Sequence, residues 1–188
     1  MTTARVHDLL TAADLSYEPE DGLRRELHDG VVYVAPPPSN IHGWEVRRAD
    51  HAVSVHSSDD VLILQNVGVH VGLRRLYVPD LIAVHVGTPF HDNGYDPGGV
   101  VLVVEAVSPS SVTLDRVTKP AIYAEMGIPY FWRIDSLRGM GPRLQVYRLD
   151  PKIGEYALEA EFGPGEAGTL EHPWPIAIDM TRFVLPDR

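Results

Sequence analysis

Apolar residues recur along this chain with helical spacing in two stretches, and with strand-like alternation over most of the remainder. Residues 3–15 carry the first helical pattern. Arg25-Glu26-Leu27-His28 and Val31-Val32-Tyr33-Val34 then flank Asp29-Gly30, a dipeptide suited to the left-handed backbone of a tight hairpin turn. Pro36-Pro37-Pro38 ends that unit, and Ser39 is placed to cap a helix over 40–57 with Ile41, Trp44, Ala49, Ala52 and Val53 as its apolar stripe. Strands are predicted over 61–66, 69–73, 77–86 and 100–107, with the Gly-, Pro- and Asp-rich stretch 88–99 as a surface loop. A helix over 111–126 stops at Gly127, and Pro120 inside it predicts a kink or a fresh helix start. The end of the chain reads as strands over 130–135, 144–149, 156–160 and 174–178. The pattern predicts an α/β (α+β) fold, a central mixed β-sheet flanked by two principal helices. It also predicts one domain over 1–188, with the helix 3–15 and a C-terminal β extension over 143–180 as parts of it.

Composition narrows the chemistry. The chain has 188 residues, 44% hydrophobic and 22% charged, ordinary values for a folded globular protein. With no cysteine it can form no disulfide, thiolate metal site or cysteine nucleophile. Arg5, Asp8 and Asp14 break up the start of the chain, and Glu105 interrupts the longest valine-rich run, so neither a secretory signal nor a membrane span is predicted. The expectation is a cytoplasmic protein. The net charge of −10 argues against a nucleic-acid partner, because phosphate binding is dominated by Lys and Arg. The excess of acid lies in residues 1–30 and 150–188, however, and the middle of the chain is nearly neutral, with Arg pairs at Arg47-Arg48 and Arg74-Arg75. The basic residues are almost all arginine; Lys119 and Lys152 are the two lysines. A lysine is the compact, tunable cation, which draws attention to Lys119.

Standard phosphate-loop, dinucleotide, zinc-helix and serine-elbow motifs are absent from the sequence. What stands out is acid in apolar strands. Glu105 follows Val100-Val101-Leu102-Val103-Val104, and Asp80 sits between Tyr77-Val78-Pro79 and Leu81-Ile82-Ala83-Val84. A carboxylate buried there needs a hydrogen bond, a proton or a cation. If the two strands pair, both acids reach one face, and two carboxylates with water and phosphate oxygens suit Mg²⁺. Asp115, Lys119 and Tyr123 at four-residue intervals share one helix face. Each feature also has a plainer reading: Glu105 paired with Arg133, Asp80 as a turn residue, Asp115–Lys119 as a surface ion pair, Glu26 paired with Arg24 or Arg48.

Taken in order, these stretches resemble the PD-(D/E)XK nuclease superfamily and, more narrowly, the bacterial Uma-two family of restriction endonucleases. The resemblance is carried by Arg25-Glu26-Leu27-His28-Asp29-Gly30, the Pro37-Pro38-Ser39 run ending at His42, Val78-Pro79-Asp80, and Glu105 through Ser108-Pro109-Ser110. It continues through Asp115, Lys119 and Tyr123 to Gly127-Ile128-Pro129-Tyr130-Phe131-Trp132-Arg133-Ile134-Asp135, and covers roughly 21–179. It implies a restriction-endonuclease-like core hydrolysing phosphodiester bonds of DNA with Mg²⁺ or Mn²⁺. Asp80 and Glu105 would be metal ligands, Lys119 would position or activate the attacking water, and Glu26 would be a further acidic site residue. The superfamily pattern puts a lysine two residues after the glutamate; Val107 stands there, and Lys119 supplies the ammonium from the next helix. His42 is read first as a packing or hydrogen-bonding residue, and Asp115 and Tyr123 receive no role. A homodimer is expected, matching the two-fold symmetry of duplex DNA. The rival reading is a degenerate nuclease-fold module that binds DNA or protein; a small-molecule hydrolase is a third.

Overall fold

A computed structural model describes residues 9–17, 22–109, 111–137 and 140–186. Strands β1 (Arg24–His28) and β2 (Val31–Ala35) form the expected hairpin, in register from Arg24 opposite Ala35 to His28 opposite Val31. Asp29 and Gly30 take φ of 50° and 88° to close it. Helix α1 (Asn40–Ser54) begins where Ser39 predicts, its Oγ accepting the His42 N–H at 3.2 Å, and ends a turn short of 57.

The next stretch departs from the predicted pattern. The strand expected over 77–86 is two strands, β5 (Leu76–Tyr77) and β6 (Leu81–His85), in different sheets. Pro79 has no N–H for a ladder, so the chain turns at Val78-Pro79-Asp80. Upstream, β3 (Val61–Gln65) passes to β4 (Gly68–His70) through Asn66, which has a positive φ of 55°. The predicted strand 69–73 therefore shortens. Within 88–99, read as loop, β7 (Phe90–His91) pairs with β8 (Gly94–Tyr95), and β8 runs parallel to β4. Residues 3–8 of the predicted first helix lie outside the described residues. Within 9–17 a single 3₁₀ turn, Asp14–Tyr17, replaces helix, because the Leu10 and Ala12 N–H groups are spent on the carbonyls of Gly30 and Leu73.

After β9 (Val100–Val107) the chain makes a π-helical turn over Leu114–Thr118 and continues as α2 (Lys119–Glu125). Pro120 explains the junction: it offers no N–H to the Arg116 carbonyl, and its ring would strike that carbonyl in a regular helix. The turn widens instead, and the Lys119 N–H reaches back five residues to Leu114. Gly127, at φ 76°, ends the helical segment as expected. Strands β10 (Tyr130–Leu137), β11 (Gly141–Asp150) and β12 (Glu155–Phe162) run longer than predicted, and β13 (Ala167–Leu170) pairs with β14 (Ile176–Asp179). Strand β14 starts later than 174 because Trp174 stands between two prolines.

One sheet has the order β2-β1-β5-β4-β8-β7 and the other β12-β11-β10-β9-β6-β3, with β9 and β10 parallel. The central strands of the second sheet, β6 and β9, are buried on both faces. Val46, Ala49 and Val53 of α1 cover Leu81, Leu102, Val104 and Trp132, while Tyr123 of α2 and Ile128 cover Ile82, Val84, Val103 and Phe131. Alternation along β9 sends Leu102, Val104 and Ala106 toward α1, and Val103 and Glu105 toward α2.

The hairpin turn is the local feature on which the placement of β1 rests. A methyl at Gly30 would force a side chain into positive φ and stand 2.6 Å from Leu9 Cβ. Gly30→Ala is expected to lower unfolding stability by about 1–3 kcal/mol, measured by urea or thermal denaturation.

Candidate active site

The site lies where the chain passes between the two sheets. On β1 the two-residue alternation puts Arg24, Glu26 and His28 on one face, while Leu27 enters a separate small core with Ala12 and Leu76. The corner Val78-Pro79-Asp80 brings Asp80 beside β9, because β6 and β9 pair with Leu81 opposite Val104. The two acids also satisfy the backbone of this corner. Glu26 Oε1 accepts the Val78 N–H at 3.2 Å, and Asp80 Oδ2 accepts the Ala106 N–H at 2.8 Å.

Lys119 stands at the centre. Its Nζ is 2.9 Å from Glu26 Oε1, 3.0 Å from Glu105 Oε1 and 3.7 Å from Asp115 Oδ1, and the residue is 1% exposed. Burial alone would favour the neutral amine, but Glu105, Glu26 and Asp115 outweigh it and hold the proton far above the ordinary lysine range. Tyr123 Oη donates to Glu105 Oε1 at 2.5 Å, and Ser111 Oγ donates to Asp115. Arg24 Nη1 lies 2.5 Å from Asp80 Oδ1, and His42 Nε2 reaches the same oxygen at 3.2 Å. His28 Nε2 is 3.1 Å from Glu26 Oε2.

These neighbours set the protonation states. Burial raises Glu26 and Asp80, but their cationic and hydrogen-bonding partners prevail. Lys119 and His28 hold Glu26 near 2, and His42, Arg24 and Lys119 hold Asp80 near 2. Glu105 goes the other way. It is the deepest acid, and burial together with repulsion from Asp80, Asp115 and Glu26 exceeds what Lys119 returns, pushing it to about 8. One ammonium shared by three carboxylates leaves the innermost one protonated. His42 is raised despite burial because it bonds Asp80.

All four predicted residues, Glu26, Asp80, Glu105 and Lys119, therefore meet at this corner. Several plainer readings fail. Arg133, opposite Glu105 in register, bonds Asp135 and Gln145 instead. Asp115 and Lys119 are buried rather than a surface pair, and Glu26 takes Lys119 and His28 rather than Arg48. Arg24, in the sequence a candidate partner of Glu26, bonds Asp80 instead. The signal for its place in the site is the two-residue spacing from Glu26 on one strand. His42 and Tyr123 join the site through Asp80 and Glu105.

A cleft of about 1000 Å³ opens over the corner, with Arg24, Glu26, His42, Ser111, Asp115 and Lys119 in its lining. Asp80 and Glu105, each 1% exposed, lie behind that lining. Among the described residues no three His, Cys, Asp or Glu groups are already set together as a metal site. The donor chemistry nevertheless suits a hard divalent cation. Glu26, Asp80, Glu105 and Asp115 face two permanent cations, Lys119 and Arg24, and the proton retained by Glu105 marks the uncompensated charge. Asp80 and Glu105 are the acids that would hold such an ion.

The raised Glu105 has a defined signature. Its folded value of about 8 exceeds the ordinary value of 4.5, so the native state binds its proton more tightly than the unfolded chain. Stability attributable to Glu105 is full below about pH 4.5 and declines as pH rises toward 8. Glu105→Gln, which cannot ionise, is expected to flatten that decline, so Tm scans between pH 5 and 8 should fall more steeply for the parent protein.

No match to the chain is found among curated proteins. The fold is similar to the crystal structure of a "putative nuclease belonging to DUF820" from Anabaena variabilis, with a TM-score of 0.65 at 16% identity, over 93% of this chain and 97% of that one. The family model described as "Uma2: Putative restriction endonuclease" matches residues 12–181, which span both sheets and every residue of the buried corner. The chain belongs to the Uma2 family.

Proposed function

We propose that this protein is a divalent-metal-dependent DNA endonuclease whose active site is the corner around Lys119. The observation that carries the reading is the convergence of Glu26, Asp80, Glu105 and Lys119 from four separate elements onto one buried locus at the back of a cleft. Membership of the Uma2 family gives nuclease chemistry at a general level.

In this reading Asp80 and Glu105 would hold Mg²⁺ or Mn²⁺, which would supply Lewis-acid stabilisation of the phosphodiester. Lys119 keeps its proton at neutral pH, so it acts as a hydrogen-bond donor and fixed positive charge and not as a base. Its ammonium positions the attacking water and offsets charge building on the phosphate oxygens during the in-line displacement. Glu26 orients that ammonium, and His28 braces Glu26 from behind. Tyr123 fixes one oxygen of Glu105, so the carboxylate is already aimed when the substrate arrives. The substrate is DNA, and the working form is a cytoplasmic homodimer of single nuclease domains.

A second reading has its own support. Arg24 already occupies Asp80, as expected of a degenerate module that binds DNA or protein without cutting. Plasmid cleavage separates the two. Asp80→Asn and Glu105→Gln, which preserve shape, are each expected to lower Mg²⁺-supported nicking by about 10²-fold or more while leaving the fold intact by circular dichroism. Undiminished cleavage by both variants refutes the assignment, and parent protein without cleavage or a metal-dependent Tm rise favours the binding module.

A further inference from the structure

The two permanent cations of the site differ in one respect. Lys119 is enclosed, with a side chain 1% exposed, and cannot leave without unpacking α2 from β9. Arg24 lies at the cleft wall with a side chain 27% exposed, and it starts the hairpin strand directly after the Gly22-Leu23 segment. Its guanidinium touches Asp80 and is drawn electrostatically by Glu105 and Glu26 as well, so it sits in the field of three acids. Asp80 is engaged on both oxygens: Oδ1 takes Arg24 and His42, and Oδ2 takes the Ala106 N–H. A divalent ion that binds through Oδ1 has to displace the guanidinium. His42 carries a charge only when protonated, whereas Arg24 brings a permanent full charge that repels an incoming cation.

We propose that Arg24 is an exchangeable internal cation: it holds Asp80 while the site lacks its divalent ion, gives up that carboxylate when the ion binds, and turns its guanidinium into the cleft toward a phosphate of the nucleic-acid backbone. The inference rests on the metal-dependent nuclease reading above. The flexible stem lets the head group move while β1 stays paired, and the cleft has room for it. A guanidinium freed from a carboxylate is the side chain best matched to phosphate geometry, since its planar fork donates two parallel hydrogen bonds. The exchange also orders events: the site presents its phosphate-binding cation only after loading.

The test compares Arg24→Gln with the parent full-length chain. Isothermal titration with Mn²⁺ alone is expected to show binding about tenfold tighter in Arg24→Gln, because the internal competitor is gone. Without metal, Arg24→Gln should melt lower than the parent, and saturating Mn²⁺ should raise its Tm by more than it raises the parent's, which also verifies that the variant folds. Anisotropy with a short labelled DNA duplex supplies the second arm. In Ca²⁺ the variant should bind the duplex about fivefold more weakly, and in EDTA the two proteins should bind alike, because Arg24 is then engaged by Asp80 in the parent. A purely structural or general electrostatic role would weaken binding equally in both buffers and overturns the phosphate assignment. Parent protein that binds Mn²⁺ no more weakly than Arg24→Gln overturns the exchange alone. Absence of Mn²⁺ binding by both proteins overturns the metal-dependent reading and this inference with it.

Discussion

A single desolvated ammonium organises this molecule. Lys119 is shielded from solvent and takes its acceptors from Glu26 on one sheet, Glu105 on the other and Asp115 on its own helical segment. Such a charge is tolerated only when every proton is directed at an acceptor, so the relative placement of β1, β9 and α2 is tied to one point. The acids depend on it in return. Glu26 stays ionised near 2 because Lys119 and His28 outweigh its burial, while Glu105, sharing the same ammonium from the deepest position, keeps a proton to about 8. The polar corner is thus held together by attraction and left with an excess of negative charge, a combination poor for stability and well suited to receiving a cation.

Two prolines create the geometry in which this is possible. Pro79 ends pairing between β5 and β6, passing the chain from one sheet to the other and leaving Asp80 free to cap the Ala106 N–H. Pro120 widens the helix into a π turn, which sets where Asp115, Lys119 and Tyr123 meet β9. Both departures from regular pairing sit beside the side chains that gather at the corner, while the neighbouring strands β6 and β9 are apolar on both faces.

An acidic chain and the proposed nucleic-acid substrate meet in a cleft whose wall carries both signs of charge: Arg24, Lys119 and His42 stand there beside Glu26 and Asp115. The described residues include no helix long and apolar enough to cross a membrane. Arg116 and Arg133 are committed to Asp135 on the face of β10, and Arg75 to Glu125, so these three arginines already serve the fold.

Short-range pattern specifies the hairpin at Asp29-Gly30, the start of α1 at Ser39, the helix end at Gly127, and the burial of β9 on two faces. Each follows from a backbone requirement or an apolar run that acts within a few residues. It also marked Asp80, Glu105 and Lys119, because charge embedded in apolar sequence demands a partner. Which partner was decided only by tertiary structure. Register placed Arg133 opposite Glu105, yet Lys119 and Tyr123 from a later helix took that carboxylate, and Arg24 took Asp80 across the junction of two sheets. The strand read over 77–86 divided for the same reason: apolar alternation carries no information about which sheet a residue joins, and only the packing of both sheets around the corner at Pro79 settles it.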